Sequence, residues 1–411
     1  MIFAGWRSYT GGGNVIWVME NGRLHTTYNH LSKWSSTPAK RFRPVSESGP
    51  LGRAVRLPVR TSTSRSGPAT RGPWAPLRMQ STPATILRAA SSGVSTRVAT
   101  PTSPRLRHVW INGRLAPAGR ALLCVSDRGF RVGDGVFETI RVVGGRALEL
   151  ASHAERLRAS ADALEIPLPK ELEAILGRSI RALLKADGLV EPNTQVAVRV
   201  TVSRGAIEDR SLLPPVDVRP TVVVQAWRVT PVSATILERG LHLTISSVRR
   251  DPASPLATIK TTSRADFVFA RLEARRRGAD DALFLTTDGH LAEATSASLF
   301  LVEPGKIATP SLQCGILVGT TREWIMAWAQ RVGLECREAL LTPDELFAAE
   351  EVFLASSVAG VMPVTRVDGR PIGEGRPGPW TRRAREDRET YAQQVVPNSE
   401  PVGSEGQPPQ A

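Results

Sequence analysis

The basic and acidic residues of this chain are divided unevenly along its length, and this division limits which part can form a folded core. Up to Arg105 the chain has 15 Lys/Arg and 2 Asp/Glu, whereas the remainder has 38 basic and 37 acidic residues. Residues 35–105 are rich in Ser, Thr, Pro, Arg and Gly, without sustained periodicity. Such a segment cannot bury enough apolar surface to offset its ordering entropy. We therefore predict that residues 35–105 are disordered and that the main fold begins at residue 106.

The formal net charge of +14 is typical of a protein that binds nucleic acid, but the first 105 residues carry almost all of it. A basic tail on nucleic acid, or a transit peptide, remains an alternative for that segment alone. The three cysteines have no metal-binding spacing and imply no disulfide framework, which predicts a reducing cytoplasmic compartment and no metal site. No apolar run approaches the ~18–20 residues of a membrane helix, so we expect no membrane partner.

The first 34 residues carry a separate pattern, with Gly11-Gly-Gly-Asn followed by Tyr28-Asn-His-Leu31. This stretch resembles part of the LytM-like M23 metallopeptidase domain. The upstream His and Asp ligands and the downstream His-x-His of that family are missing, so His30 has no partners with which to bind zinc. We interpret residues 1–34 as a remnant without peptidase activity.

The remainder mixes strand and helix patterns without the regular alternation of a Rossmann fold, which predicts an α+β protein. Residues 194–203 alternate strictly between apolar and polar side chains, as in a half-buried strand. A break at 229–234 divides the fold into subdomains at 106–228 and 235–392, followed by a disordered tail at 393–411. Further strands are expected at 137–143, 221–227, 241–248, 282–286, 298–302 and 351–355, and helices at 152–164, with Ser152 as N-cap, and at 172–184, 263–277 and 321–331.

Three segments in a fixed order carry the candidate chemistry: Asp127 to Thr139, Ala257-Thr-Ile-Lys260-Thr-Thr, and Glu293-Ala-Thr-Ser-Ala-Ser-Leu-Phe300. Taken alone, Lys260 is typical of a solvated lysine before a helix, and Glu293 of an edge carboxylate beside a hairpin. In combination the segments resemble the class IV (fold type IV) aminotransferases. That family includes branched-chain and D-amino-acid aminotransferases and 4-amino-4-deoxychorismate lyases.

The resemblance implies two α/β subdomains with pyridoxal 5'-phosphate in the cleft between them. It implies that Lys260 forms a Schiff base with the cofactor and then moves the substrate α-proton, for which its pKa must fall. It also implies that Glu293 pairs with the pyridine nitrogen. Ser298 stands where the family has Asn.

A phosphate requires an arginine and several N–H or hydroxyl donors. His153-Ala-Glu-Arg156 resembles the family's phosphate-binding arginine motif. Gly319, Thr320 and Thr321 precede or open a predicted helix. Ser357 follows a predicted strand, where the family has Thr or Ser. The resemblance implies that these groups bind the cofactor phosphate, although each alone is typical of a helix cap or a surface pair.

The substrate pocket is less clearly indicated. Phe137 stands where D-amino-acid aminotransferases have Tyr, and Arg141 and Arg210 are candidates to pair with a substrate carboxylate. Ala265 replaces a tyrosine of some family members and weighs against a close branched-chain enzyme. We predict an aminotransferase acting on an amino acid and a 2-oxo acid as a homodimer, with deoxychorismate lyase as the alternative and nucleic-acid binding by the N-terminal segment as a weaker one.

Overall fold

The computed structural model describes residues 107–398, with side chains up to residue 394, and the backbone of three strands near the start of the chain. These strands are β1 (Ile2–Tyr9), β2 (Gly13–Glu20) and β3 (Arg23–Asn29), which pair in order as an antiparallel sheet. Residues 1–94 and 95–411 are separate compact units. The disorder predicted for 35–105 and for the end of the tail concerns residues outside those described.

The first half of the main unit is a six-stranded antiparallel sheet in the order β5-β4-β9-β8-β6-β7, covered by two helices. The valines of the alternating strand, at 196, 198, 200 and 202, are fully buried against these helices. The elements are β4 (His108–Ile111), β5 (Arg114–Pro117), α1 (Arg128–Val132), β6 (Gly135–Val143), β7 (Arg146–Ala147), α2 (Leu150–Asp162), α3 (Leu172–Asp187), β8 (Gln195–Ser203) and β9 (Thr221–Arg228).

The second half is a nine-stranded mixed sheet in the order β12-β11-β10-β17-β16-β13-β14-β15, with β18 paired to β17. Three of its pairings, β10–β11, β10–β17 and β14–β15, are parallel. The elements are α4 (Ala234–Arg239), β10 (Leu241–Arg250), α5 (Ala265–Arg276), β11 (Asp281–Thr286), β12 (Leu291–Ala294), β13 (Ser298–Glu303), β14 (Lys306–Pro310), α6 (Thr320–Arg331), β15 (Glu335–Ala339), α7 (Pro343–Ala348), β16 (Glu351–Ser356), β17 (Gly360–Val367), β18 (Arg370–Pro371) and α8 (Pro379–Asn398). The predicted α+β class is confirmed.

The segment that carries Lys260 is attached to the start of β6, so the second half of the chain reaches into the first. The Phe137 N–H donates to the Lys260 carbonyl at 3.0 Å, and the Thr262 N–H donates to the Gly135 carbonyl at 2.8 Å. A side chain at Gly135 would place its Cβ 2.6 Å from the Val202 carbonyl oxygen. Glycine is therefore required where the two segments meet.

Several predicted boundaries are wrong. The N-cap of α2 is Glu149, in the left-handed region at φ 54°, rather than Ser152. Helix α5 begins at Ala265, so Lys260 lies on an irregular segment before it. Helix α8 continues to Asn398, past residue 392 where a disordered tail was expected. Within the described part of the chain, no helix is long and apolar enough to cross a membrane.

Candidate active site

A cavity of about 410 Å³ lies between the two halves of the main unit. Its walls come from α2, from the segment between β10 and α5, from β12, and from the start of α6. The structure brings together here all the residues predicted from the sequence to bind the cofactor: Arg156, Lys260, Glu293, Gly319, Thr320, Thr321 and Ser357.

Lys260 is half-buried on the cavity wall, and its environment favours the neutral amine. Burial is the largest cause of a pKa lowered from 10.5 to about 8. The carboxylates of Glu138 and Glu293 raise the pKa, whereas the guanidinium groups of Arg156 and Arg264 lower it. A lysine with a pKa near working pH can accept and return a proton.

Glu293 lies on β12 with only 8 % of its surface exposed. The Leu317 N–H donates to one carboxylate oxygen at 3.4 Å, and the Arg250 guanidinium lies 3.5 Å from the other. Burial raises the pKa of Glu293, because these two groups offset its desolvation only in part. The carboxylate is therefore short of positive charge, as expected for a group that pairs with a cationic ring nitrogen.

The start of α6 forms a cradle for an anion. Its N-cap, Gly319, makes no side-chain cap within the described part of the chain, so the first N–H groups of the helix stay available. The Thr321 hydroxyl is buried and has no hydrogen-bond partner among the described residues, while the Thr320 and Ser357 hydroxyls lie 3.4 Å apart. A Cβ at Gly319 would lie 2.9 Å from the Ser298 hydroxyl. These donors fit the phosphate of pyridoxal phosphate.

Phe137 lies beneath the lysine, on the same face of β6 as several cations. Its ring centroid is 5.0 Å from Lys260 Nζ, 3.8 Å from Arg199 Cζ and 5.8 Å from Arg264 Cζ. Burial lowers the pKa of Arg264 to about 10 and lowers that of Arg199. The alternation of β8 placed Arg199 off the buried face, but only the fold shows that it lies near Lys260.

Arg141 and Arg210, both predicted to bind substrate, do not line the cavity. Arg141 is only 3 % exposed, and its guanidinium donates to Glu389 at 2.9 Å and to Gln195 at 3.0 Å. Arg210 is exposed on the loop between β8 and β9. The structure therefore assigns Arg141 to an ion pair with α8 and keeps Arg210 on the surface.

Comparisons with known proteins agree with this geometry. The chain matches the family described as Amino-transferase class IV over residues 135–367. It is 31 % identical to a putative branched-chain-amino-acid aminotransferase of Methanocaldococcus jannaschii over 279 residues, which cover 68 % of this chain and 94 % of the relative. An aminodeoxychorismate lyase of Bacillus subtilis is 30 % identical over 63 % of this chain and 86 % of its own length.

Solved structures show the same likeness. A branched-chain amino acid aminotransferase of a T.th. strain, solved with pyridoxamine 5'-phosphate, has a TM-score of 0.65 and 28 % identity, covering 71 % of this chain and 95 % of its own. The branched-chain aminotransferase of Escherichia coli has a TM-score of 0.63 and 27 % identity, covering 69 % and 93 %. The peptidase resemblance of residues 1–34 finds no support in these comparisons. The main unit of this chain belongs to the class IV aminotransferases and is a pyridoxal-phosphate-dependent enzyme.

Proposed function

We propose that this enzyme exchanges amino groups between a branched-chain or similar aliphatic amino acid and 2-oxoglutarate, with Lys260 as its catalytic lysine. The observation that carries the proposal is the position of Lys260 Nζ, above Phe137 in a cavity that also contains Glu293 and the anion cradle of α6. The names of the relatives and the apolar Leu256 and Ile259 in the cavity wall support an aliphatic substrate.

The cofactor residues divide into two groups in this proposal. Arg156, the first N–H groups of α6, and the Thr321 and Ser357 hydroxyls hold the phosphate. Glu293 holds the ring nitrogen in its protonated form. Pyridoxal phosphate supplies the electron sink when bound, and Lys260 takes the proton from the substrate Cα and returns it on the other side of the exchange.

Arg199 and Arg264 are the proposed groups for a substrate carboxylate. Among the described residues Arg199 donates only its Nε–H, to the Thr201 hydroxyl at 3.2 Å, and Arg264 only from Nη2, to the Thr295 carbonyl at 2.8 Å. A guanidinium has five N–H donors, so both retain several for a carboxylate. Two such arginines suit a dicarboxylate such as 2-oxoglutarate.

The proposed activity is tested by incubating the enzyme and pyridoxal phosphate with leucine and 2-oxoglutarate and measuring glutamate. Formation of glutamate that requires both substrates would support the proposal. The lyase alternative, favoured by the relative in Bacillus subtilis, predicts pyruvate release from aminodeoxychorismate without any 2-oxo acid. Pyruvate release together with no amino transfer from any of several aliphatic amino acids would replace the proposal by the lyase.

Replacing Arg199 by alanine is expected to lower kcat/KM for 2-oxoglutarate by about 10- to 100-fold, the scale of a lost charged hydrogen bond. The loss should appear mainly in KM, because Arg199 does not move the proton. Steady-state kinetics with varied 2-oxoglutarate measure it. Alanine at the exposed Arg114 on β5 is the control, and equal behaviour of the two variants would remove Arg199 from the substrate site.

We further propose that the enzyme is a homodimer. Large apolar side chains are exposed on two adjacent segments, at Leu122, Val125, Phe130, Leu212, Leu213 and Val216. The segments lie together because the Arg128 guanidinium donates to the Ser211 carbonyl at 2.8 Å and to the Leu212 carbonyl at 2.7 Å. An apolar patch of this kind indicates a protein interface, and its occupant in this proposal is the same patch of a second copy.

The double replacement Leu212→Glu and Val216→Glu is expected to convert the dimer to a monomer, because four buried carboxylates would lack partners in a symmetric interface. Sedimentation velocity at micromolar concentration measures the change. Leu340→Glu, at an apolar residue exposed elsewhere, is the control and should remain dimeric. A wild-type monomer, or a double variant that still dimerises, would contradict the proposed interface.

A further inference from the structure

Glu138 is buried on β6 and was given no role by the sequence. It has no exposed surface, and it lies on the face of the strand opposite to Phe137 and beneath α2. A carboxylate in such a position is unstable unless charged or polar groups surround it. The partners of Glu138 therefore show what the residue does.

Two side chains of α2 converge on this carboxylate. Arg156 donates from Nε to one oxygen and from Nη2 to the other, both at 2.7 Å, and His153 Nδ1 donates to the second oxygen at 2.8 Å. Burial alone would raise the pKa of Glu138, but the hydrogen bonds and charges of Arg156 and His153 outweigh it and lower the pKa to about 2. Glu138 is therefore ionised at neutral pH.

The two-point pairing fixes the plane of the Arg156 guanidinium. The third direction of the fork is also fixed, since Nη1 donates at 2.7 Å to the carbonyl of Val318, which directly precedes the anion cradle. Three of the five N–H donors are thus used, and two remain. Arg156 lines the cavity, so these two are the ones available to an anion there.

His153 completes the arrangement. A carboxylate can only accept, so Nδ1 carries the proton in this contact. The other ring nitrogen, Nε2, is buried without a hydrogen-bond partner among the described residues. The ring is therefore attached through Glu138, and it holds the carboxylate from the side that Arg156 leaves open.

We propose that Glu138, held by His153, is a positioning residue that aims the two remaining N–H groups of Arg156 at the cofactor phosphate. The inference rests on the proposed phosphate role of Arg156 and adds the residues that orient it. Glu138 does not touch the cofactor and acts only through the arginine. Its removal should therefore affect ligands that carry the phosphate and leave unchanged those that lack it.

The test compares the binding of pyridoxal phosphate and of pyridoxal, which has the same ring and aldehyde without the phosphate. Both are titrated into the apoprotein and followed by visible absorbance. We expect Glu138→Gln to weaken binding of pyridoxal phosphate by about tenfold or more, the scale of one charge-assisted hydrogen bond. Binding of pyridoxal should change by no more than about twofold, since the ring contacts are retained.

A double-mutant cycle shows whether Glu138 acts through Arg156. Arg156→Gln should weaken pyridoxal phosphate at least as much as Glu138→Gln does, and the double variant should be no weaker than Arg156→Gln alone. Equal loss for both ligands, or additive losses in the double variant, would overturn the positioning role. An unchanged affinity in Arg156→Gln would instead overturn the proposed function of Arg156, and this inference with it.

Glu149 provides a matched control for the loss of a buried ion pair. Its carboxylate accepts two bonds from Arg388, at 2.6 and 3.0 Å, and it does not line the cavity. Glu149→Gln should lower the melting temperature but leave the affinity for pyridoxal phosphate unchanged. If Glu138→Gln does not fold, Glu138→Asp replaces it. That shorter carboxylate cannot hold the whole fork, so a loss of a few-fold for pyridoxal phosphate alone is expected, and no loss would overturn the proposal.

Discussion

Replacing Lys260 by alanine is expected to lower kcat for amino transfer by about 10⁴-fold or more, since the variant loses both the nucleophilic amine and the general base. No other lysine lines the cavity, as judged from the described residues, so no neighbour can take over. Glutamate formation from leucine and 2-oxoglutarate measures the rate. In wild type, reduction by borohydride should fix the cofactor to the peptide that contains Lys260, and mass spectrometry should find no such peptide in the variant.

Lys170, which is exposed and outside the cavity, is the control for Lys260. Lys170→Ala should retain the wild-type rate and the fixed cofactor. A Lys260→Ala variant with more than about one hundredth of the wild-type rate, or cofactor fixed to a different lysine, would contradict the proposed catalytic role. Circular dichroism should show that both variants keep the wild-type fold.

The strands that alternate were predictable from the sequence because their environment is two-sided. In β8, expected at 194–203 and observed at Gln195–Ser203, the valines are buried and the intervening residues are half-exposed. In β6 nearly every residue is buried on both faces. Glu138 therefore looked like an ordinary polar position, and its partners could be seen only when α2 was placed over the strand.

The failure of Arg141 as a substrate residue has a different cause. It lies on β6 with the family-like segment, but its partner Glu389 is 248 positions away in the chain. That partner belongs to α8, a highly charged helix whose buried residues include Arg388. Local pattern gives no signal for such a helix, because its burial is created by ion pairs with the first half of the main unit.

The cofactor residues came together because the order of the segments, rather than any single motif, carried the information. Lys260 and Glu293 are unremarkable alone, and the resemblance of the combined segments indicated their roles. What the sequence could not show was the electrostatic setting. Arg264 and Arg199 come from different parts of the chain, and only the fold places both beside Phe137.

Replacing Glu293 by glutamine should lower kcat by about 10²- to 10³-fold, the scale of removing one charged group that stabilises the transition state. The amide has nearly the same shape, but it cannot keep a ring nitrogen protonated. Glu293→Asp, which keeps the charge but withdraws it by one methylene, should lose less activity than Glu293→Gln. Steady-state rates at saturating cofactor measure both, and an unimpaired Glu293→Gln would remove the residue from the ring-nitrogen site.

The same change should stabilise the apoprotein, with a sign set by the raised pKa of Glu293. Because the folded state favours the protonated carboxyl, the wild type loses stability as the pH rises through the folded pKa. Glutamine cannot ionise and is spared this loss. The melting temperature of apo Glu293→Gln should therefore exceed that of the wild type at pH 8, and the difference should shrink toward pH 5. A variant less stable than wild type at pH 8 would show that Arg250 and Leu317 compensate the charge in full, and that Glu293 is positioned for stability rather than held ready for the cofactor.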